Sequence, residues 1–508
     1  MKKRILLWAV FSSVAALVIL TAIAVFALQP RRIRTFAEDG LSRHLNMVAK
    51  IDEISLSFYP RWRLAGQGLS LRFPNRPDLP PFISIERFSM NVGLFSLMRR
   101  HVETVHADGL KIAVPHGDVR QALTAGESSR RDSDVIIDHF VTHDATLTFV
   151  RRKPEDTPLE FLIHDLTVDA VGFGREMPFE ATLTNPVPRG LVRTRGRVGP
   201  WLRSDGPMTP VSGAFTFSDA DLSTINGIGG TLGSTGDFSG DLTAIKVVGQ
   251  ATVPNFSLDL GGKPVLLDCA YETIVDGTDG TTVLEHVDAT LVQTKLSVTG
   301  AIRNLPGPGR HQVDLVVHVP DGNIEDLLAL ALDTPKPVML GDISLHATLS
   351  LPPGRARVRD RLKLQGRFGL TSTRFTDTGV QDKLKELSRR SQGKKTDEEL
   401  GRVLTNLRGR FKLGSGRMAL DQLTFEVPGA QVALDGYYAL ANQEIDLRGT
   451  LRMKASVSKA VGGFKSFFLK PFDPLFRKDG AGAVIPIKIT GTREAPKFGI
   501  EAGKIFKN

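Results

Sequence analysis

Cys269 is the only cysteine in 508 residues, so no intrachain disulfide is available. It sits in Val265-Leu266-Leu267-Asp268-Cys269-Ala270, which reads as a strand, and a thiol packed there is inert. His139 and His143 are four apart, a spacing that suits a shared metal ion on a helix. The local pattern is that of a strand, where four residues span about 13 Å, so the two cannot share an ion without a bend. Gly227-Ile228-Gly229-Gly230-Thr231-Leu232-Gly233 resembles a dinucleotide loop but misses the last glycine position and lacks a βαβ setting. Asp276-Gly277-Thr278-Asp279-Gly280 lacks calcium-loop spacing and suits a hairpin turn. The chain has no Gly-x-Ser-x-Gly elbow, Walker lysine loop or His-Glu-x-x-His. Its acidic residues are spread along strands. The expectation is a protein without catalytic residues, cofactor or metal.

The elements that would hold a site are strands. In Ile445-Asp446-Leu447-Arg448-Gly449-Thr450-Leu451-Arg452-Met453-Lys454 the odd positions are apolar or glycine and the even ones polar or charged. Successive strand side chains point to opposite faces, so this segment has one apolar and one charged face. Phe411-Lys412-Leu413 and Leu423-Thr424-Phe425-Glu426-Val427 do the same. Short runs of this kind recur over 51–60 and 66–73, which read as a hairpin, and over 82–92, 102–114, 145–150, 162–170, 179–183, 190–198, 214–217, 244–254, 291–303, 313–319 and 343–349. With 49 glycines and 29 prolines the chain is rich in turns, and 41% hydrophobic against 24% charged residues suffices for a packed fold. Helical patterns interrupt the strands at 36–50, 94–98, 324–332 and 381–390, the last with a further turn reaching residue 407.

The net charge of +10 is concentrated at one end. Lys2, Lys3, Arg4, Arg31, Arg32 and Arg34 lie in the first 34 residues, which hold no acid. Removing those six from the 65 basic residues leaves 59 against 55 acidic ones, or +4, which is no nucleic-acid footprint. Between them runs 5–28, 24 residues without a charge, long enough to cross a bilayer as a helix. Ile5, Leu6, Leu7, Trp8, Val18, Ile19, Leu20, Phe26 and Leu28 are its anchoring residues. The run exceeds the apolar part of a cleaved secretory signal, which favours an uncleaved anchor. The expected organisation is an anchor with basic flanks (1–34), an N-terminal β region (35–121), a polar linker (122–134), a middle β region (135–360) and a C-terminal β domain (361–508) with a helical insertion at 381–407. One-faced strands must hide their apolar face, either in a sealed sandwich or along the inside of a curled sheet. The alternation is the same in both.

Both ends carry a family resemblance. A strand ending in Phe58-Tyr59-Pro60-Arg61 leads to Leu64-x-Gly66-x-Gly68-Leu69, a proline-rich loop, Phe82-Ile83-Ser84-Ile85-Glu86, Leu94–Met98 and Asp108-Gly109-Leu110. Near the other end come Val427-Pro428-Gly429-Ala430, Leu434-Asp435-Gly436-Tyr437-Tyr438, Lys465-Ser466-Phe467-Phe468-Leu469-Lys470 and Ile485-Pro486-Ile487-Lys488-Ile489-Thr490-Gly491-Thr492. This succession resembles the AsmA-like family of bacterial envelope proteins, relatives of bridge-like lipid-transfer proteins. The resemblance implies a mainly β protein: an N-terminal transmembrane helix, then an elongated, curled, taco-like antiparallel β-sheet with a few short helices. It implies a single-pass protein of the inner (cytoplasmic) membrane with its body in the periplasm, binding acyl chains in an apolar β-groove and supporting phospholipid transport towards the outer membrane. Membrane phospholipids and other envelope proteins are the implied partners. The groove positions on this reading are Val313, Leu315, Val317, Val319, Ile343, Leu345, Ala347, Leu349, Ile445, Leu447, Leu451 and Met453. The competing reading is a structural or assembly factor for outer-membrane proteins, with these residues as ordinary core.

Overall fold

The computed structural model describes residues 30–45, 47–57, 63–74, 79–91, 101–114, 136–149, 159–172, 174–200, 208–225, 227–277, 280–305, 311–354, 356–392, 404–454, 484–492 and 495–500. The protein is mainly β. It forms two compact units, one of residues 1–218 and 236–245, the other of 219–235 and 246–508.

The first unit opens with helix α1 (Pro30–Leu45). Strands β1 (Val48–Lys50), β2 (Glu53–Ser57), β3 (Arg63–Arg72), β4 (Ile83–Asn91), β5 (His101–Asp108), β6 (Lys111–Val114), β7 (Ile136–Phe149), β8 (Leu159–Val171), β9 (Met177–Pro186) and β10 (Arg189–Val198) follow. The expected hairpin is β2 against β3, in register from Glu53 opposite Gln67 to Ser57 opposite Arg63. Ile51, Ile54 and Phe88 form a core under Ile33, Ala37 and Leu41 of α1. The helix is also tied by polar contacts: Ile51 N donates to Glu38 Oε1 at 2.8 Å, and Arg34 Nη1 donates to the Asp52 carbonyl at 3.1 Å. The expected helix over 36–50 is displaced: it ends at Leu45, and Val48–Lys50 pairs with β3 instead.

The expectation of a wholly antiparallel sheet is corrected here. β5 and β6 both pair with β7 in parallel, and both pair with β4 antiparallel. They behave as one strand broken at Gly109, whose φ of 65° sets the break.

Strands β11 (Pro210–Asp221), β13 (Thr231–Asp241) and β14 (Ala244–Leu258) divide their residues between the units, and β12 (Ile228–Gly229) lies in the second. The rest of the second unit is a meander. It runs β15 (Val265–Val275), β16 (Thr282–Leu291), β17 (Thr294–Asn304), β18 (His311–Asn323), β19 (Met339–Leu351), β20 (Lys363–Phe375), β21 (Thr405–Gly414), β22 (Arg417–Val427), β23 (Ala430–Ala439), β24 (Glu444–Met453), β25 (Val484–Thr492) and β26 (Pro496–Ile500). Each pairs antiparallel with the next. Helices α2 (Ile324–Ala329), α3 (Val358–Arg361) and α4 (Thr378–Ser391) sit between strands in sequence.

Among the described residues no helix is long and apolar enough to cross a membrane. The expected anchor, Ile5 to Leu28, lies outside the described residues, as do the polar linker 122–134, the 94–98 turn and most of the extension beyond residue 391.

Candidate functional site: the apolar face of the second unit

Residues directly opposite in paired strands share a face, so the pairing registers place the apolar side chains in rows. One row runs Tyr271, Val287, Val298, Val317, Ala347, Gly366, Phe411, Leu420, Gly436, Leu447, Ile489, from β15 to β25. A second runs Leu315, Leu349, Leu364, Leu413, Met418, Tyr438, Ile445. On the other side of the first lie Val319, Leu345 and Phe368, then Leu423, Leu434, Gly449 and Ile487 beyond a bulge. The outermost row is Ile343, Leu370, Leu407, Phe425, Val432, Leu451, Ile485. From β15 to β25 ten inter-strand steps of ~4.8 Å make the longest row roughly 50 Å.

Helices close one margin of this face. Ile324 of α2 packs with Ile343 and Leu370, joined by Leu327, Leu328, Leu345 and Phe368. Leu384 and Leu387 of α4 lie against Val427 and Ala430, with Phe425 and Leu451. A buried carboxylate fastens α2: Asp326 accepts from Thr294 Oγ1 at 2.8 Å and from Gln293 N at 3.2 Å. Ser388 Oγ on α4 donates to the Pro428 carbonyl at 2.8 Å. Under the helices Ile343 and Leu370 keep 5% and 4% of their exposure. Away from them the burial is mixed: Ala347, Leu413 and Leu434 are buried, but most of the first two rows is not. Val298, Val317, Phe411, Leu420, Leu447 and Ile489 in the first row are half-buried, and so are Leu315, Leu349, Leu364, Met418 and Ile445 in the second.

Two phenylalanines and two glycines shape the middle of the face. Gly366 is opposite Phe411 and Gly409 opposite Phe368. A Cβ at Gly366 would stand 2.9 Å from Phe411 Cζ, so the ring lies over bare backbone. The two rings are 6.4 Å apart and tilted by 43°. Glycine here lets an aromatic side chain lie flat, keeping the surface low between β20 and β21.

The twelve sequence-predicted positions fall on one face, but in different surroundings. Leu315 and Leu349, Val317 and Ala347, and Val319 and Leu345 are direct cross-strand partners. Val313, Leu315, Val317, Leu349, Ile445 and Leu447 are half-buried on the accessible part. Val319 and Ala347 are buried; Ile343, Leu345 and Leu451 pack in the helix-covered margin, and Met453 packs with Ile485. Val298, Leu364, Phe368, Phe411, Leu413, Leu420 and Ile489 share the face but were not among the named groove positions, although the alternation of Phe411-Lys412-Leu413 is plain in the sequence. Glycines interrupt the alternation in β20, and bulges change its parity in β22.

Among the described residues of the second unit the opposite face is largely polar, with Val316 and Leu266 among its exposed apolar exceptions. Cys269 is half-buried, and burial pushes its thiol up from the usual range. Tyr271 is also raised, by burial, and hydrogen-bonds Ser234 Oγ at 2.7 Å. His139 and His143 lie on β7, each with its own partner: Asp169 at 2.8 Å and Asp165 at 2.7 Å. Ile228–Gly229 is strand β12, paired to β14, and no helix follows it as a dinucleotide loop requires. Among the described residues no group of three or more His, Cys, Asp or Glu side chains could hold a metal ion. No protein-family model matches the chain, and no curated protein matches it.

Proposed function

We propose that the apolar face of β15–β26 binds lipid acyl chains, and that the protein is a membrane-anchored envelope protein of AsmA-like type supporting phospholipid transport towards the outer membrane. The observation that carries the reading is that, with Ala347 and Leu413 as the buried exceptions, the side chains of the first two rows are incompletely buried across consecutive strands. A sealed core leaves its central side chains inaccessible, whereas these retain a surface that an apolar ligand can cover. Each methylene moved from water onto such a surface contributes up to about 0.8 kcal/mol. A tail of about sixteen carbons, covered on one side only, gains roughly 6 kcal/mol, which suits reversible occupancy. The rows repeat strand by strand, so a tail meets similar contacts at successive positions and can shift without leaving the face. No catalytic group is needed for this. The resemblance at the two ends and the uncharged run at 5–28 supply the membrane and envelope part of the proposal.

The test is mass spectrometry of lipid carried by the full chain purified in mild detergent. Phospholipid is expected in the wild type and lost on replacing Val317 and Leu447 with Asp while the circular dichroism stays unchanged. A folded wild-type protein devoid of phospholipid would instead favour the assembly-factor reading.

A further inference from the structure

The polar face of β18–β21 holds an arrangement that acyl binding does not use. Arg367 and Arg410 are direct cross-strand partners, and the same line continues through His346 to His318. Like charges directly opposite on a sheet destabilise it. Among the described residues neither Arg367 nor Arg410 has a hydrogen-bond or ion-pair partner. Asp421 is opposite Arg410 on β22 yet forms no ion pair with it. A bulge lies there, with Gln422 at a φ of 53° and its N–H given to Asp435 Oδ1. Arg408, one register step away, is already held by Glu426 at 2.9 Å and Thr424 at 3.1 Å. The rings of His318 and His346 meet edge to face at 5.8 Å. These side chains rim a depression of about 720 Å³ that also takes in Ser344 and Gly369. Glycine at 369 adds no side chain; a Cβ there would come within 3.1 Å of Ser344 Oγ.

We propose that this depression binds a phosphate-bearing anion, with Arg367 and Arg410 as its principal ligands and His318, His346 and Arg408 at its margin. Two guanidinium forks on adjacent strands present paired N–H donors in the geometry that phosphoryl oxygens accept. An anion between them converts a like-charge repulsion into two attractions. The volume lies in the range of small-molecule sites and suits a headgroup or phosphate ester. A long polyanion fits less well, since the chain beyond residue 34 is nearly neutral. Val319, Leu345 and Phe368 also line the depression, but its arginines lie on the face opposite the acyl rows, so substituting them tests the site separately from those rows.

The test uses the full chain in detergent micelles, with equilibrium dialysis against inorganic phosphate and against glycerol 3-phosphate. Flotation with phosphatidylcholine vesicles, with and without phosphatidic acid, distinguishes a lipid headgroup from a soluble phosphate. The double variant R367Q/R410Q is expected to weaken phosphate binding at least about tenfold, each charged hydrogen bond being worth about that factor. K488Q, elsewhere on the polar face, is expected to leave it unchanged. Thermal unfolding adds a second reading: without phosphate R367Q raises Tm by relieving the repulsion, and phosphate raises the wild-type Tm more than that of the double variant. Recruitment to phosphatidic acid vesicles that needs both arginines assigns the site to a headgroup; phosphate binding without recruitment assigns it to a soluble ester. Affinity and Tm responses identical in wild type and R367Q/R410Q, or an equal response to chloride at the same ionic strength, would overturn the proposal.

Discussion

Leu447→Asp and Ile343→Asp introduce the same carboxylate on the same face and should behave differently. Leu447 is half-buried, with Gly436 and Ile489 as its cross-strand neighbours. The glycine side offers no side-chain packing to lose. The substitution forfeits most of a leucine's burial, roughly 1.5–2 kcal/mol, but leaves the carboxylate in reach of water. Ile343 is 5% exposed and wedged between Ile324 of α2 and Leu370. Its replacement loses the whole transfer energy, opens a cavity and buries an unpaired charge, about 4 kcal/mol or more. The lipid effect runs the other way. A tail lying over Leu447→Asp must desolvate the carboxylate, which costs several kcal/mol and reduces occupancy more than a hundredfold. Urea unfolding monitored by circular dichroism gives the first comparison, and mass spectrometry of co-purified lipid gives the second. Equal losses of stability in the two variants would refute the distinction between accessible rows and closed margin. A folded Leu447→Asp/Val317→Asp protein carrying wild-type amounts of phospholipid would refute the acyl-binding face itself.

Asp326→Ala should lower stability by about 2–3 kcal/mol, because Thr294 Oγ1, buried with no exposed surface, loses its carboxylate acceptor; urea midpoints report it. Gly366→Ala should cost about 1–3 kcal/mol, since its Cβ would meet the Phe411 ring at 2.9 Å and the His346 carbonyl. Combining Gly366→Ala with Phe411→Leu should relieve only the ring's share, the clash with the His346 carbonyl remaining, so the loss is smaller than the sum but not abolished. Asp314 is held below the usual carboxylate range, first by the Ser350 hydroxyl at 2.7 Å, then by Gln312 and Arg303. A depressed carboxylate stabilises the fold above its unfolded pKa, and that contribution disappears as the pH falls through the lowered folded value. Carbon-detected NMR titration should therefore show the Asp314 midpoint rise towards the ordinary range in Ser350→Ala.

The second unit was legible in the sequence where a strand alternates without interruption. Val313 to Val319, Ile343 to Leu349 and Ile445 to Met453 each keep their parity, and each lies on the apolar face. Parity fails at bulges. In β22 the inward residues are Met418 and Leu420, then Leu423 and Phe425; Asp421 and Gln422 take up the extra residue. In β20 Leu364 to Leu370 give way to Thr373 across a similar irregularity, with Ser372 at a φ of 53°. A period-two pattern cannot show such a step, because one inserted residue inverts everything beyond it. The parallel pairing of β7 was also invisible, since an apolar strand looks the same beside either kind of neighbour. Which inward residues the helices close off is a tertiary fact: Leu345 and Leu349 have the same local pattern, and only Leu345 packs under α2.

That last difference explains why the fold needs its two short helices. A one-faced sheet in water must hide part of its apolar surface to be stable, yet a lipid-binding face must leave part of it available. Here α2 and α4 pack along the same margin and are pinned by specific polar bonds, Asp326 to Thr294 and Ser388 to Pro428. The closed margin supplies a core with side chains at the low exposure of an ordinary interior. The remaining rows are then free to be only half-covered, because stability does not depend on sealing them. On this reading, loosening α2 should weaken the fold without emptying the face, whereas charging the first row should empty the face at a much smaller cost in stability. Stability and occupancy are assigned to different rows of one sheet, and substitutions in the two rows must separate them.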